Sequence, residues 1–124
     1  MSKFSNPGWT SKFKSAFAGI AKGVRGQNSF YVHIPAAIAA IGFAVFLQLD
    51  VVRVAVLILC IGVVLACELF NSAIENLGKS ITRKFDRNIG DSLDIASGAV
   101  LMISIFAAAV GWLLLLPPVL KIWQ

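Results

Sequence analysis

Two long stretches of this sequence, residues 30–49 and 95–116, contain no formally charged side chain. A third apolar stretch, residues 51–67, is interrupted only by Arg53. A membrane-spanning helix needs ~20 mostly apolar residues, and each stretch approaches that length. The whole chain is 58% apolar and 14% charged, whereas a soluble domain is roughly a quarter charged. The sequence therefore predicts an all-α membrane protein and excludes soluble enzyme folds.

The segment before the first apolar stretch predicts a different kind of helix. Residues 9–25 are too polar to cross a bilayer, but Phe13, Phe17 and Ile20 recur at spacings of four and three. This spacing is typical of an amphipathic helix that lies in the membrane surface. We therefore expect an N-terminal surface helix ahead of the membrane helices.

The remaining helices complete a single domain that we assign to residues 1–124. Three membrane helices are predicted at residues 30–49, 51–78 and 95–116. Residues 79–94 are rich in charge and predict a short surface helix or loop between the last two membrane helices. Pro117 and Pro118 are expected to end the last helix, because proline cannot donate a backbone hydrogen bond.

The distribution of basic residues predicts the orientation. Nine of the 11 Lys and Arg residues lie in 1–29 and 79–94, and only Arg53 and Lys121 lie elsewhere. Because basic residues concentrate in cytoplasmic loops, these two segments and the N-terminus should face the cytoplasm of a bacterial inner membrane. The basic residues give a net charge of +5, and we expect them to contact lipid headgroups. We predict no nucleic-acid partner.

A polar stripe interrupts the second membrane helix near its cytoplasmic end. Glu68, Asn71, Ser72 and Glu75 are spaced at i, i+3, i+4 and i+7, which places them on one helix face. A lipid-facing acid costs ~2.5–3.5 kcal/mol at mid-membrane, so Glu68 should face a bundle interior or an aqueous cleft. The alternative interpretation is a helix that has left the membrane and become hydrophilic.

The residue types of the stripe indicate two kinds of chemistry. Carboxylate and amide oxygens are suited to Mg²⁺, which usually keeps waters or substrate phosphates in its coordination shell. A carboxylate near the bilayer surface can also accept a proton from a lipid hydroxyl. His33, in the first predicted membrane helix, is interpreted as an interfacial hydrogen-bonding residue in preference to a ligand or proton shuttle.

A second acidic pair, Asp91 and Asp94, precedes the last membrane helix. Lys84 and Arg87 lie nearby in the sequence and are candidate partners for phosphate. For Asp94, an N-cap of the last helix and a role in a site are both open interpretations.

Residues 67–75, Cys-Glu-Leu-Phe-Asn-Ser-Ala-Ile-Glu, resemble the E-x-x-N-[ST]-A-I-E signature of the small prokaryotic diacylglycerol kinase and undecaprenol kinase family. Residues 94–101, Asp-Ile-Ala-Ser-Gly-Ala-Val-Leu, are similar to the family's entry into its third span. The chain length and the order of helices also resemble the family. The resemblance implies a surface helix and three membrane helices, assembled as a homotrimer.

The same resemblance implies a reaction and the residues that perform it. The γ-phosphoryl group of ATP would be transferred to a membrane lipid alcohol, diacylglycerol or undecaprenol, with Mg²⁺ as the cofactor. Glu68 would be the general base, and Glu75 would ligate the metal. Asn71, Glu75 and Asp94 would contact the nucleotide. The resemblance assigns no lipid-binding residue.

Three positions differ from the residues usual in the family, and they leave alternatives open. This chain has Gln27 in place of an acidic residue, Lys79 in place of an Asp, and Leu93 in place of a Lys. One alternative is a catalytically inactive family member that binds lipid or nucleotide or acts as a scaffold. Another is a small channel or transporter subunit, for which Glu68 is the only support.

The predicted orientation can be tested by labelling. Single cysteines at Ser2 and Gln124, in a background that lacks Cys60 and Cys67, should react with an impermeant reagent from opposite sides of the membrane. This result is expected because the three predicted spans place the two termini on different sides. Labelling of both positions from one side would contradict the predicted topology.

Overall fold

The computed structural model describes residues 8–124, and these residues form four α-helices connected by short segments. The helices are α1 (Trp9–Gly26), α2 (Phe30–Phe46), α3 (Val51–Ile81) and α4 (Arg87–Trp123). The described residues contain no strand, which confirms the all-α class. Residues 1–7, and with them the N-terminus that we predict to be cytoplasmic, lie outside the described residues.

Helix α1 agrees with the predicted surface helix to within one residue. It has no buried side chain, and Phe13, Phe17 and Ile20 are all exposed. The axes of α1 and α2 are bent by 106° at the break between them. If α2 enters a bilayer, α1 therefore runs nearly parallel to the membrane surface, where its apolar face can enter the headgroup region.

Helix α2 is shorter than the predicted 30–49 because the chain turns back before Leu49. The helix ends at Phe46, and Gln48 has a φ of 54°, a left-handed conformation that stops the helical path. Asp50 then caps α3, since its side chain accepts a hydrogen bond from the Arg53 backbone N–H at 3.3 Å. Within the described residues α3 and α4 are each long and apolar enough to span a membrane, and the count reaches three if the bent pair of α1 and α2 is taken as one span.

Helices α3 and α4 both extend beyond the predicted bounds. Helix α3 continues past residue 78 to Ile81, and α4 begins at Arg87 in place of residue 95. At about 1.5 Å per residue, the 31 residues of α3 are longer than a hydrocarbon core of ~30 Å. One end of α3 therefore extends out of the apolar layer.

The predicted surface helix or loop at 79–94 is wrong. Both helices extend into this segment, and residues 82–86 alone form the connection. The N-cap of α4 is Asp86, whose Oδ1 accepts from the Ile89 backbone N–H at 3.1 Å. Asp94 lies two turns inside the helix, so its interpretation as an N-cap is also wrong. A charged sequence does not end a helix when its side chains can reach water.

The predicted stop at Pro117 and Pro118 is wrong as well, because α4 continues through both residues to Trp123. The φ angle of proline fits a helix, but each proline removes a backbone donor and crowds the carbonyl group four residues earlier. Membrane helices tolerate such losses when the freed carbonyl groups find other partners.

Helix α3 is the central element and contacts each of the other three helices. Few apolar side chains are buried: Phe30, Ala44, Leu57, Val64 and Ala96. Most large apolar side chains of α2, α3 and α4 are exposed instead, as expected for helices that face lipid. The buried face of α3 is apolar at Leu57 and Val64 and becomes polar at Glu68.

Gly78 allows α3 and α4 to approach closely beside their connection. A Cβ at Gly78 would lie 3.1 Å from Cγ2 of Ile89, which is too close for relaxed packing. We expect Gly78→Val to separate the helices and to destabilise the protein by about 1–3 kcal/mol. The measurement is the thermal unfolding midpoint of the full chain in detergent.

Gly90→Val is the matched control for this substitution. A Cβ at Gly90 meets Phe85 at an ordinary 3.6 Å, and Phe85 is exposed and free to turn away. Both variants replace glycine by the same β-branched residue in a helix, so they share the same change in helix propensity. Equal unfolding midpoints for the two variants would show that the contact with Ile89 does not limit packing.

Candidate active site

The polar stripe of α3 lies on the buried side of the helix. Glu68 is 1% exposed and is the largest fully buried side chain among the described residues. Asn71 and Ser72 are each 8% exposed, and Glu75 is half-buried. The stripe therefore faces other helices, and the interpretation of a helix that has simply become hydrophilic does not describe Glu68.

Glu68 has one close side-chain neighbour, His33 in the first turn of α2. The distance between Glu68 Oε1 and His33 Nδ1 is 2.8 Å, although the contact lacks the alignment of a regular hydrogen bond. Within residues 8–124 neither carboxylate oxygen has an aligned donor. A buried carboxylate without donors is costly, so this site has unused capacity to accept a proton or a hydrogen bond.

Glu75, two turns further along α3, is held by two amides. Gln27, in the break between α1 and α2, donates from Nε2 to Glu75 Oε2 at 2.7 Å. Asn71 donates from Nδ2 to Glu75 Oε1 over a longer 3.4 Å. The amide oxygen of Asn71 is buried and has no partner among the described residues. The break between α1 and α2 thus brings a polar side chain to the polar end of α3.

The donor atoms around Glu75 fit Mg²⁺. The Glu75 carboxylate and the unpartnered Asn71 oxygen are hard ligands, and rotation of the Gln27 amide would add a third oxygen. Two of these three candidate ligands, Asn71 and Gln27, are amides. Among the described residues, no three His, Cys, Asp or Glu side chains are grouped so that they could hold a metal ion. Mg²⁺ is commonly bound through one or two carboxylates together with substrate phosphates, and this set provides the protein's part.

Asp94 is not joined to the stripe by any ion pair. It is exposed on α4, and the ion pairs between described residues do not include it. The neighbouring candidates Lys84, Arg87 and Asp91 are exposed as well. The assignment of Asp94 to a nucleotide pocket stays a prediction.

Two cavities lie near the stripe. An apolar cleft of about 290 Å³ lies between α2, α3 and α4, with His33 and Leu65 at the end nearest Glu68. A larger cavity of about 770 Å³ lies between α1 and α3, and its mostly apolar lining includes the polar residues Lys22, Ser72 and Asn76. Of the stripe residues, Ser72 lines the larger cavity and none lines the cleft.

Sequence reasoning missed the pairing of His33 with Glu68. The two residues are on different helices, and no local pattern links them. The available signal was chemical, since a buried acid needs a donor and His33 is the only histidine in the chain. The sequence also offered no sign that Gln27 contacts Glu75, to which it donates through its amide nitrogen.

The family described as prokaryotic diacylglycerol kinase matches residues 14–115, which include every residue of the candidate site. The chain belongs to this family. A family relative from Synechocystis sp., named diacylglycerol kinase, is 35% identical over 111 residues, which are 89% of this chain and 63% of the relative. Undecaprenol kinase from Bacillus subtilis is 30% identical over 105 residues, which are 85% of each protein. The match thus spans less than two thirds of the Synechocystis protein.

The contact between Gln27 and Glu75 leads to a prediction about metal binding by this family member. Gln27→Glu adds a second carboxylate at the site, which should destabilise the protein without a divalent cation and tighten Mg²⁺ binding roughly tenfold. The measurement is the shift of the thermal unfolding midpoint on titration with Mg²⁺.

Asn28→Glu is the control for this prediction because it adds the same charge at an exposed neighbouring position. A larger Mg²⁺-dependent shift in Gln27→Glu than in both the wild type and Asn28→Glu is the expected result. Equal shifts in the two variants would mean that added charge alone, and not the contact with Glu75, is responsible.

Proposed function

We propose that this protein is an ATP- and Mg²⁺-dependent lipid kinase. It transfers the γ-phosphoryl group to the hydroxyl of a membrane lipid alcohol, diacylglycerol or undecaprenol. The observation that carries the proposal is the buried Glu68 carboxylate, whose oxygens lack aligned donors and which lies between an apolar cleft and the polar residues around Glu75. The names of the two relatives support the same activity.

Glu68 acts as the general base in this proposal. The lipid hydroxyl approaches from the apolar side, and Glu68 accepts its proton as the oxygen attacks the γ-phosphorus. One bond forms between the lipid oxygen and the γ-phosphorus, and the bond to the β-phosphate oxygen breaks to release ADP. Because phosphoryl transfer depends on positioning and charge neutralisation, one well-placed carboxylate is a sufficient base.

Glu75, Asn71 and Gln27 would hold Mg²⁺ and the nucleotide phosphates. Glu75 provides the anionic ligand, and Asn71 orients the phosphate through its unpartnered oxygen or its amide nitrogen. Bound Mg²⁺ supplies charge neutralisation for the phosphate oxygens. The cavity between α1 and α3 adjoins these residues at Ser72, and its volume of about 770 Å³ is within the usual range for ligand pockets. Asp94 of α4 is the further residue that contacts the nucleotide in this proposal.

The proposed kinase is a homotrimer in the bacterial inner membrane, with its active site on the cytoplasmic side. The concentration of basic residues in the segments that flank the polar stripe supports this orientation. The family resemblance supports the trimer.

An inactive family member that binds lipid or nucleotide is the second candidate. The observation that favours it is the Gln27 amide at Glu75, where the family usually has an acid. Leu93 adds to this, because it removes a cation that the family has beside Asp94. The polar stripe itself is complete, and for that reason the kinase is the primary proposal.

Glu68→Gln tests the proposed base. The amide keeps the size of the side chain but cannot take the hydroxyl proton, so phosphoryl transfer should fall about 10²- to 10⁴-fold. The assay uses labelled ATP, a panel of lipid alcohols that includes undecaprenol and diacylglycerol, and reactions with and without Mg²⁺.

Asp50→Asn is the matched control, because it removes a carboxylate at the opposite end of α3 and asparagine still caps a helix. Its rate should equal that of the wild type. A rate for Glu68→Gln within a few-fold of the wild type would remove Glu68 from the role of base. A folded wild type that phosphorylates no lipid alcohol would favour the inactive alternative.

A further inference from the structure

His33 contacts the proposed base but has no role in the reaction described above. Its Nδ1 lies 2.8 Å from Oε1 of the buried Glu68, and its own side chain is 26% exposed. The neighbouring amides of Gln27 and Asn71 donate to Glu75 and not to Glu68. Among the described residues, His33 is therefore the side chain placed to donate to the Glu68 carboxylate.

The two atoms lie within hydrogen-bonding distance, although the contact is not aligned as a regular hydrogen bond. A bare imidazole nitrogen and a carboxylate oxygen both present lone pairs, which repel each other at 2.8 Å. With its proton on Nδ1, a rotated imidazole would form a charge-assisted hydrogen bond, which is shorter and stronger than a neutral one. It would also give the buried carboxylate a donor, which a buried polar group needs.

His33 also lines the apolar cleft between α2, α3 and α4. On α2 the lining continues from His33 to Ala40, and on α3 it runs from Leu65 back to Leu57. The two helices run in opposite directions, so His33 and Leu65 meet at the same end of the cleft. The imidazole thus lies at the end of the cleft and also contacts Glu68.

We propose that His33 is a positioning residue for Glu68. A rotation of the imidazole that aligns Nδ1–H with Oε1 would fix the plane of the carboxylate and leave Oε2 to accept the proton of a lipid hydroxyl from the side of the cleft. This inference rests on the proposed lipid kinase activity. His33 takes no proton from the substrate, because the hydroxyl proton passes to Glu68 as the lipid oxygen bonds to the γ-phosphorus.

Two substitutions separate positioning from packing. His33→Leu keeps an apolar side chain in the cleft but has no donor, whereas His33→Asn keeps an N–H group near the position of Nδ1. We expect His33→Leu to lower kcat about tenfold to a hundredfold, as for loss of a hydrogen bond to a charged group, with the KM for ATP within a few-fold of the wild type. His33→Asn should recover most of kcat.

Tyr31→Leu is the matched control because it replaces an exposed aromatic residue in the same turn of α2. Its kcat should equal that of the wild type. The assay uses the full chain in detergent with undecaprenol and dioleoylglycerol as probes. Equal losses of kcat in His33→Leu and His33→Asn, or no loss in His33→Leu, would overturn the positioning role.

A second measurement tests the contact without activity. His33 is the only histidine, so protein labelled with ¹⁵N-histidine gives one imidazole in an NMR spectrum. Glu68→Gln should shift the Nδ1 resonance, and Glu75→Gln should leave it unchanged. A wild type that phosphorylates neither probe contradicts the proposed kinase. An imidazole spectrum that Glu68→Gln leaves unchanged contradicts the His33 contact whether or not the protein is active.

Discussion

The Glu68 carboxylate is 1% exposed in a bundle whose other buried side chains are mostly apolar. Placing a carboxylate there is unfavourable unless donors or a ligand compensate for the lost water. The surrounding structure provides a single close nitrogen, from His33, and leaves the rest of the hydrogen-bonding capacity unused. Such an arrangement contributes little to stability.

The two acids of α3 differ in their surroundings although they lie on the same helix face. Glu75 is half-buried and receives hydrogen bonds from two amides, whereas Glu68 is buried and contacts one imidazole. The difference arises from the break between α1 and α2, since Gln27 lies in the break and His33 in the turn that follows. One short connection therefore gives the two acids different polar neighbours.

The helical class and the surface helix could be predicted because hydrophobic periodicity and the length of uncharged runs are local properties. The positions of the helix ends were predicted less accurately than the helices themselves. The segment 79–94 has the composition of a loop, yet helix α4 begins at Arg87 because Asp86 supplies the cap and the charged side chains reach water. Pro117 and Pro118 were expected to stop α4, but both lie inside the helix, although each removes a backbone donor. The local sequence favours certain residues as helix ends, and the packing of the neighbouring helix also affects where each helix ends.

The sequence by itself determined the face shared by Glu68, Asn71 and Glu75, because a helix of 3.6 residues per turn fixes which positions align. It also determined that these residues lie near one end of an apolar helix. Only the tertiary structure decided that Glu68 is fully buried, that His33 is its neighbour and that Gln27 reaches Glu75. These contacts join residues that are far apart in the chain. Their geometry depends on the 106° bend between α1 and α2 and on the packing of α2 against α3, which no local pattern specifies.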